Sequence, residues 1–247
     1  MPMGCFAWVL FVGCLPHHRG RALIFGVIFL ALTGTIFATQ TRAALAGLLV
    51  GCLLTVLLLV RKRARIWTVT GLVLLAVFAT LWIKHTRGLG WIARRDPGTQ
   101  YRWLMWQDGM HLARTHPFFG VGMATVQNHW QEWNIRAFEM YHAYWNFHSD
   151  YVQIAAERGF LTLAAWLWFE IAYLVFLFRL LARARRQNQF ATMIVVGVLS
   201  GFVAFLFPSL VESALNDDAL VMLLFFSFGV ALAIDRMLQQ PDALDVN

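Results

Sequence analysis

A polar stretch between two apolar segments holds the residues of this chain that could act on a substrate. It runs from 84 to 158 and contains six of the eight histidines, eight Lys or Arg residues and six Asp or Glu residues. Near its end lies His148, and histidine is the side chain best suited to accept a proton near neutral pH. We expect this loop to carry the chemistry, because loops held by a rigid scaffold often do.

The residues after His148 predict a short helix over 149–158. Ser149 is a suitable N-cap, Asp150 suits the positive first turn, and Gly159 is a typical stop at the C-terminus. His148 would then lie just before a helix N-terminus, where the helix dipole disfavours the imidazolium. This placement keeps a neutral imidazole available as a base.

Two arginines are candidates for binding an anionic group. Arg102 lies on a predicted amphipathic helix over 100–114, on the same face as Trp106. Arg42 lies at the polar break in the otherwise apolar run 22–60. A guanidinium is planar and permanently charged, so it can bind two oxygens of a phosphate at once.

The composition predicts an all-α protein that crosses a membrane several times. Sixty per cent of the residues are hydrophobic and 13% are charged, whereas soluble domains carry roughly a quarter charged residues. Several apolar runs are long enough to cross a bilayer about 30 Å thick. The net charge of +7 does not indicate nucleic-acid binding, because much of the basic excess lies beside the spans. The three cysteines lie in apolar segments, which argues against a disulfide framework.

The apolar runs predict about seven transmembrane helices and no second soluble domain. Residues 3–16 are a short or incomplete span, and 22–60 is too long for one span, so it forms a hairpin with Arg42 at its apex. The remaining spans are predicted at 66–83, 160–181, 190–211 and 219–234. The chain thus divides into helices over 1–83, a loop over 84–158, and three helices with a polar tail over 159–247.

Three basic clusters predict the orientation of these helices. Arg19 with Arg21, the run 61–65 and the run 183–186 all fall on one side if every span crosses once. Short loops rich in Lys and Arg remain in the cytoplasm. The loop 84–158 and the hairpin apex should therefore face outward.

The loop motifs resemble those of the O-antigen ligase and polymerase family. The family signature is a His followed by Asn, Ser or Gln, then nine residues and a Gly, and His148, Ser149 and Gly159 fit it. The pattern continues with Gly, Thr or Tyr four residues later, where this chain has Leu163.

Other segments extend the resemblance to roughly residues 22–234. The stretches 101–109 and 116–122 are similar to the family, and Arg42 resembles the family's arginine at the outer end of an earlier span. Family members usually have ten or more spans. The chain therefore resembles the C-terminal part of a member, or a shortened one.

The resemblance implies a GT-C-like glycosyltransferase of the bacterial inner membrane with a periplasmic active loop. Its donor would be a glycan on undecaprenyl diphosphate. Ligases transfer it to a sugar hydroxyl of the lipid A core, polymerases to a growing glycan, and related proteins to protein. The chemistry would be inverting, metal-independent and without a cofactor. The implied partners are these two glycans and membrane lipids, with no nucleic acid.

The resemblance also implies a role for each candidate residue. His148 would be the catalytic base that takes the proton of the acceptor hydroxyl. Arg42 and Arg102 would bind the diphosphate. A supporting role would fall to Ser149, Gln153 and Gly159.

Each candidate also has a structural interpretation. Arg42 could snorkel to the membrane surface, Arg102 could be a solvated helix charge or a cation–π partner, and His148 could be a structural hydrogen-bonding residue. A metal site of His142, His148 and Asp150 matches no standard ligand spacing. The tryptophans of the loop could form an interface belt or stack on sugar rings.

Three other functions are weighed against lipid A core ligation. Repeat-unit polymerisation is the nearest. A permease should have ionisable residues near the middle of the membrane, in broken helices. Here they concentrate outside the spans, which favours an enzyme. An inactive fragment is the third alternative.

Overall fold

The computed structural model describes residues 2–14, 18–39, 41–60, 62–87, 97–136 and 146–240. Within these ranges the regular secondary structure is helical, as predicted for an all-α protein. The helices are α1 Pro2–Cys14, α2 Arg19–Thr39, α3 Arg42–Leu59, α4 Lys62–Arg87, α5 Pro97–Thr115, α6 Val126–His129, α7 Asp150–Gln187, α8 Gln189–Ser209 and α9 Asp218–Gln239, with a 3-10 turn at Ala214–Asn216.

Six described helices are long and apolar enough to cross a membrane: α2, α3, α4, α7, α8 and α9. Large apolar side chains on them are exposed, for example Leu30 at 68% and Phe226 at 69%. Such faces suit lipid, since a water-soluble surface rarely carries so much contiguous apolar area. The chain is thus a multi-pass membrane protein. The predicted span 3–16 coincides with α1, which has only 13 residues, so the predicted count of seven stays a prediction.

The predicted hairpin is divided at the expected position. Helix α2 ends at Thr39 and α3 begins at Arg42. Thr41 between them has extended backbone angles, with φ −79° and ψ 99°. The polar residues in the middle of the apolar run therefore separate two helices, as a single span of that length could not be accommodated.

The chain divides into two compact units. The first comprises Met1–Trp82, Tyr173–Phe207 and Ala219–Asn247. Its helices are joined by polar pairs as well as apolar packing: the Thr55 hydroxyl donates to Ser200 Oγ at 2.9 Å, and Arg183 pairs with Asp235 at 2.5 Å.

The second unit comprises Ile83–Ala172 and Pro208–Asp218. Its apolar core brings α5 and α6 together with the start of α7. The buried residues of this core are Met105, Leu112, Val126, Ile135, Phe147 and Ala156. Helix α5 extends the predicted helix 100–114 by a few residues at its start, where Pro97 fits because its missing N–H would have no helical partner.

Helix α7 is interrupted at Gly159, where the sequence predicts the end of a short helix. Gly159 has φ 82° and ψ 169°, a conformation that is essentially restricted to glycine. The prediction of a break is confirmed. The helix nevertheless resumes at the next residue, so the short helix and the following span form one kinked element.

The turn after α5 is hydrogen-bonded to this interruption. Val121 N–H donates to Ala156 O at 2.9 Å, and Gly122 N–H donates to Glu157 O at 2.9 Å. In return, Phe160 N–H donates to Pro117 O at 2.7 Å. The turn thus satisfies carbonyls that a helix would otherwise leave without partners at its end.

Candidate functional site

The backbone of His148 is fixed from both sides. Its N–H donates to Asn146 Oδ1 at 2.8 Å, and its carbonyl accepts from Trp106 Nε1 at 2.9 Å. Its φ of 50° lies in the left-handed region, which few residues other than glycine adopt. Such a conformation persists only where its surroundings enforce it.

The imidazole of His148 contacts an aromatic ring and a carboxylate. The Tyr101 ring meets it edge to face, with centroids 5.5 Å apart. His148 Nδ1 lies 3.3 Å from Glu212 Oε2. When Nδ1 carries the proton and donates to Glu212, Nε2 has a lone pair and can accept a proton.

Glu212 also binds the second candidate residue of the loop. Arg102 Nη2 forms an ion pair with Glu212 Oε1, so the two carboxylate oxygens hold one partner each. The Arg102 side chain is 36% exposed and that of His148 is 22% exposed. A guanidinium has five N–H donors, so the pair with Glu212 leaves donors for an anionic ligand.

Glu212 is held in its ionised form. Burial by itself would raise its pKa, but the hydrogen bond with His148 and the positive charge of Arg102 outweigh it, and the pKa lies below the usual value for glutamate. An ionised carboxylate at Nδ1 orients the ring and stabilises the imidazolium that forms when Nε2 takes a proton.

The start of α7 is tied to the segment that carries Glu212. Asp150 is buried, and its Oδ1 accepts from the Leu215 N–H at 3.0 Å. Residue 215 belongs to the 3-10 turn three residues after Glu212. This bond therefore fixes the distance between the two segments that present His148 and Glu212.

Two of the three predicted supporting residues, Gln153 and Ser149, bond backbone groups near His148. Gln153 Oε1 accepts from the Phe147 N–H at 2.7 Å. The predicted N-cap, Ser149, accepts from the Val152 N–H at 3.5 Å, which is long for a hydrogen bond. Gly159 permits the interruption of α7 described above. The supporting role of these three residues stays a prediction.

Arg42 lies in the first unit, where it begins α3, so its part in this site stays a prediction. His142 lies outside the described residues, and the alternative metal site that includes it is therefore untested. Within the described ranges, no group of three or more His, Cys, Asp or Glu side chains could hold a metal ion.

Two further polar pairs lie in the second unit. Arg136 binds the buried Asp108 through its N–H at 2.9 Å and its Nε at 2.8 Å. The Tyr151 hydroxyl donates to both oxygens of Glu170, each at 3.2 Å. The sequence shows Glu170 within an apolar span, where a carboxylate without a partner is costly, and Tyr151 is such a partner.

Sequence reasoning missed Glu212 and the contacts of Tyr101 and Trp106 with His148. Glu212 has one sequence signal, its position directly after an apolar span in a short acidic segment. That signal does not identify its partners, because Arg102 lies 110 residues away and His148 lies 64 residues away.

Comparison with known proteins gives one family. A family model described as O-antigen ligase matches residues 27–167, which is more than half of the chain. The match includes Arg42, Arg102 and His148, and it ends before Glu212. No curated protein matches the chain.

Proposed function

This chain belongs to the O-antigen ligase family, and on that premise we propose that it transfers a glycan from undecaprenyl diphosphate to a sugar hydroxyl of the lipid A core. Family membership supports the coarser description, a membrane protein of the O-antigen ligase or polymerase type. The observation that carries the finer proposal is the carboxylate of Glu212, which binds a candidate base, His148, and a candidate anion ligand, Arg102, at the same time.

The first chemical task is to remove a proton from the acceptor hydroxyl. Nε2 of His148 takes this proton while Nδ1–H remains bonded to Glu212. The ionised glutamate compensates the positive charge that appears on the ring. A positioned base of this kind contributes typically about 10²–10⁴-fold to a rate.

The second task is to stabilise the leaving group. The acceptor oxygen forms a bond to the anomeric carbon, and the bond from that carbon to the diphosphate oxygen breaks. The electron pair leaves with undecaprenyl diphosphate. The donors of Arg102 that do not face Glu212 are suited to this charge, and Arg42 is proposed as the second ligand. Attack from the face opposite the leaving group inverts the anomeric centre.

The predicted orientation places this reaction on the periplasmic face of the inner membrane. A lipid-linked donor presents its diphosphate at the membrane surface. The loop residues 84–158, which carry His148 and Arg102, would lie on that side according to the positions of the basic clusters.

A transfer assay with the purified full chain in detergent tests this proposal. The donor is an undecaprenyl-diphosphate-linked glycan, and the acceptor is lipid A carrying its core. We expect a glycan-extended lipid A and free undecaprenyl diphosphate, in the presence of EDTA as well as in its absence. Extension of the donor glycan alone would identify a polymerase, and no transfer to either acceptor would overturn the proposal.

A further inference from the structure

One face of α5 forms an open groove of about 420 Å³. The residues that line it follow helical spacing and so share one side of the helix. Among the described residues they are Trp103, Trp106, Gln107, Met110, His111 and Arg114. From the first to the last, the groove extends along the helix for roughly 16 Å at 1.5 Å per residue.

The lining combines aromatic rings with hydrogen-bonding groups. Trp103 is 58% exposed, and its ring centroid lies 6.4 Å from that of Trp106, with the ring planes at 65°. Farther along the same face lie His111 and Arg114. Saccharides have apolar C–H faces that stack on aromatic rings and hydroxyls that need polar partners, and this lining offers both.

The polar part of the groove is oriented by a neighbouring ion pair. Arg136 Nη2 donates to Gln107 Oε1 at 3.0 Å, while its Nε binds Asp108. Because the amide oxygen of Gln107 is held by Arg136, its NH₂ group is the part of the amide that can donate to a ligand.

The groove adjoins the segment that carries His148. Trp106 lines the groove and donates its indole N–H to the His148 carbonyl. Arg102, assigned above to the diphosphate, lies just before the groove on the same helix. The groove extends from there toward Arg114. A saccharide bound at its Trp106 end would thus lie beside the segment that carries the proposed base, one helical turn from Arg102.

We infer that this face of α5 binds the acceptor saccharide and presents its hydroxyl to His148. That the bound saccharide is the acceptor rests on the proposed function. That the groove binds a saccharide at all rests on its aromatic and polar lining. A membrane-interface belt is the competing occupant for exposed tryptophans. The three polar side chains on the same face and the bond to the His148 carbonyl favour a polar ligand that reaches the site.

Binding of a defined probe tests the groove directly. The probe is lipid-free core oligosaccharide, titrated by calorimetry into the full chain in detergent. Trp103→Ala should weaken binding roughly tenfold, since truncating an aromatic anchor typically costs more than a factor of five. Trp103→Phe should retain most of the affinity. The matched control is Trp168→Ala, which removes a tryptophan that is 71% exposed on α7 and should leave binding unchanged.

Transfer kinetics and lipid quenching separate the possible failures. We expect Trp103→Ala to raise the acceptor KM, with kcat and donor KM nearly unchanged. Normal binding and normal acceptor KM in this variant would overturn the groove and leave the transferase intact. Loss of oligosaccharide binding in Trp103→Ala, in a protein that transfers nothing, would keep the groove and overturn the transferase. If brominated lipid quenches the fluorescence of Trp103, and Trp103→Ala binds the oligosaccharide as the wild type does, this face is a membrane-interface belt.

Discussion

The imidazole of His148 contacts Glu212 through Nδ1, which leaves Nε2 as the nitrogen that could accept a proton. Nδ1 lies against Glu212, at 3.3 Å, and the Trp106 bond to the carbonyl holds the backbone from which the ring projects. Orientation by a carboxylate is common for histidines that act as bases, because it selects the tautomer and favours the charged form that the reaction creates.

Replacement of the proposed base, His148, should slow the reaction with little effect on donor binding. We expect His148→Ala to lower the transfer rate by about 10²–10⁴-fold, because the acceptor hydroxyl then lacks a proton acceptor. His129→Ala is the matched control, since His129 is exposed and its ring contacts only Thr125 O among the hydrogen bonds described. A near-normal rate in His148→Ala would make the base assignment wrong, and equal losses of rate and donor binding would place His148 in the donor site.

Glu212→Gln should lower the transfer rate without removing the protein from the membrane. The amide carries no charge, so it cannot compensate the positive charge that the ring acquires when it takes the proton of the acceptor. The pKa of Glu212 lies below its usual value, so its contribution to stability is present above a pH of about 4.3 and is lost as the pH falls through the lowered pKa. The difference in melting temperature between wild type and Glu212→Gln should therefore shrink below about pH 4. A difference that grows as the pH falls there would contradict this sign.

Replacement of Arg102 or Arg42 should impair transfer, and lysine should not restore it fully. Arg102→Ala and Arg42→Ala should each abolish detectable transfer, because the leaving diphosphate loses a ligand. Lysine should rescue only in part, since a point charge cannot bind two oxygens in the planar geometry of a guanidinium. Donor binding, measured beside transfer, should weaken in all four variants. Full activity in both alanine variants would leave these arginines as structural charges.

Helix α7 is the element that positions the proposed base. His148 lies just before its first residue, Asp150, and its interruption at Gly159 receives the turn that follows α5. A side chain at Gly159 would collide with the Phe118 carbonyl, and a side chain at Gly120, with φ 65°, would collide with the backbone at Glu157. Two glycines that face each other across this contact therefore allow the turn and the kink to approach closely.

Gly159→Ala should destabilise the protein and reduce transfer together. A residue forced into this backbone region costs on the order of 1–3 kcal/mol, and the collision with Phe118 adds to it. Gly71→Ala is the matched control: Gly71 lies in α4 with nothing within 4 Å of an added Cβ, so the change should be neutral or stabilising. Thermal unfolding in detergent compares the two. Equal melting temperatures for both variants would contradict the proposed role of the kink.

At the scale of the whole molecule, the distribution of charged residues between the apolar helices predicts how the chain is oriented in the membrane. Six helices of the described ranges are long and apolar enough to cross a bilayer. The short basic runs at Arg19–Arg21, 61–65 and 183–186 predict which side is cytoplasmic. The site residues of the loop would then face the periplasm.

Thiol labelling tests this orientation. In a variant whose three native cysteines are replaced by alanine, Gly98→Cys should react with a membrane-impermeant reagent in intact spheroplasts, and Gln187→Cys should react only after the membrane is opened. The native cysteines belong to α1 and α3, so their removal leaves the loop sequence unchanged. The reverse labelling pattern would overturn both the orientation and a periplasmic site.

Hydropathy and local turn chemistry along the chain were sufficient to predict the six long helices, the break at the hairpin and the interruption at Gly159. The reason is that each depends on neighbours in sequence: an apolar run must match the bilayer, and a glycine can end a helix wherever its backbone conformation is needed. The chain also singles out His148 and Arg102 by type and by spacing.

The partners of these residues depend on contacts between distant segments. Glu212 lies 110 residues from Arg102 and 64 from His148, and Trp106 lies 42 residues from the carbonyl it binds. No periodicity links such positions, because folding of the core around Met105 and Phe147 brings them together. The charge state of Glu212 follows from the same packing, since burial and two cationic or proton-donating neighbours act on it only in the folded unit.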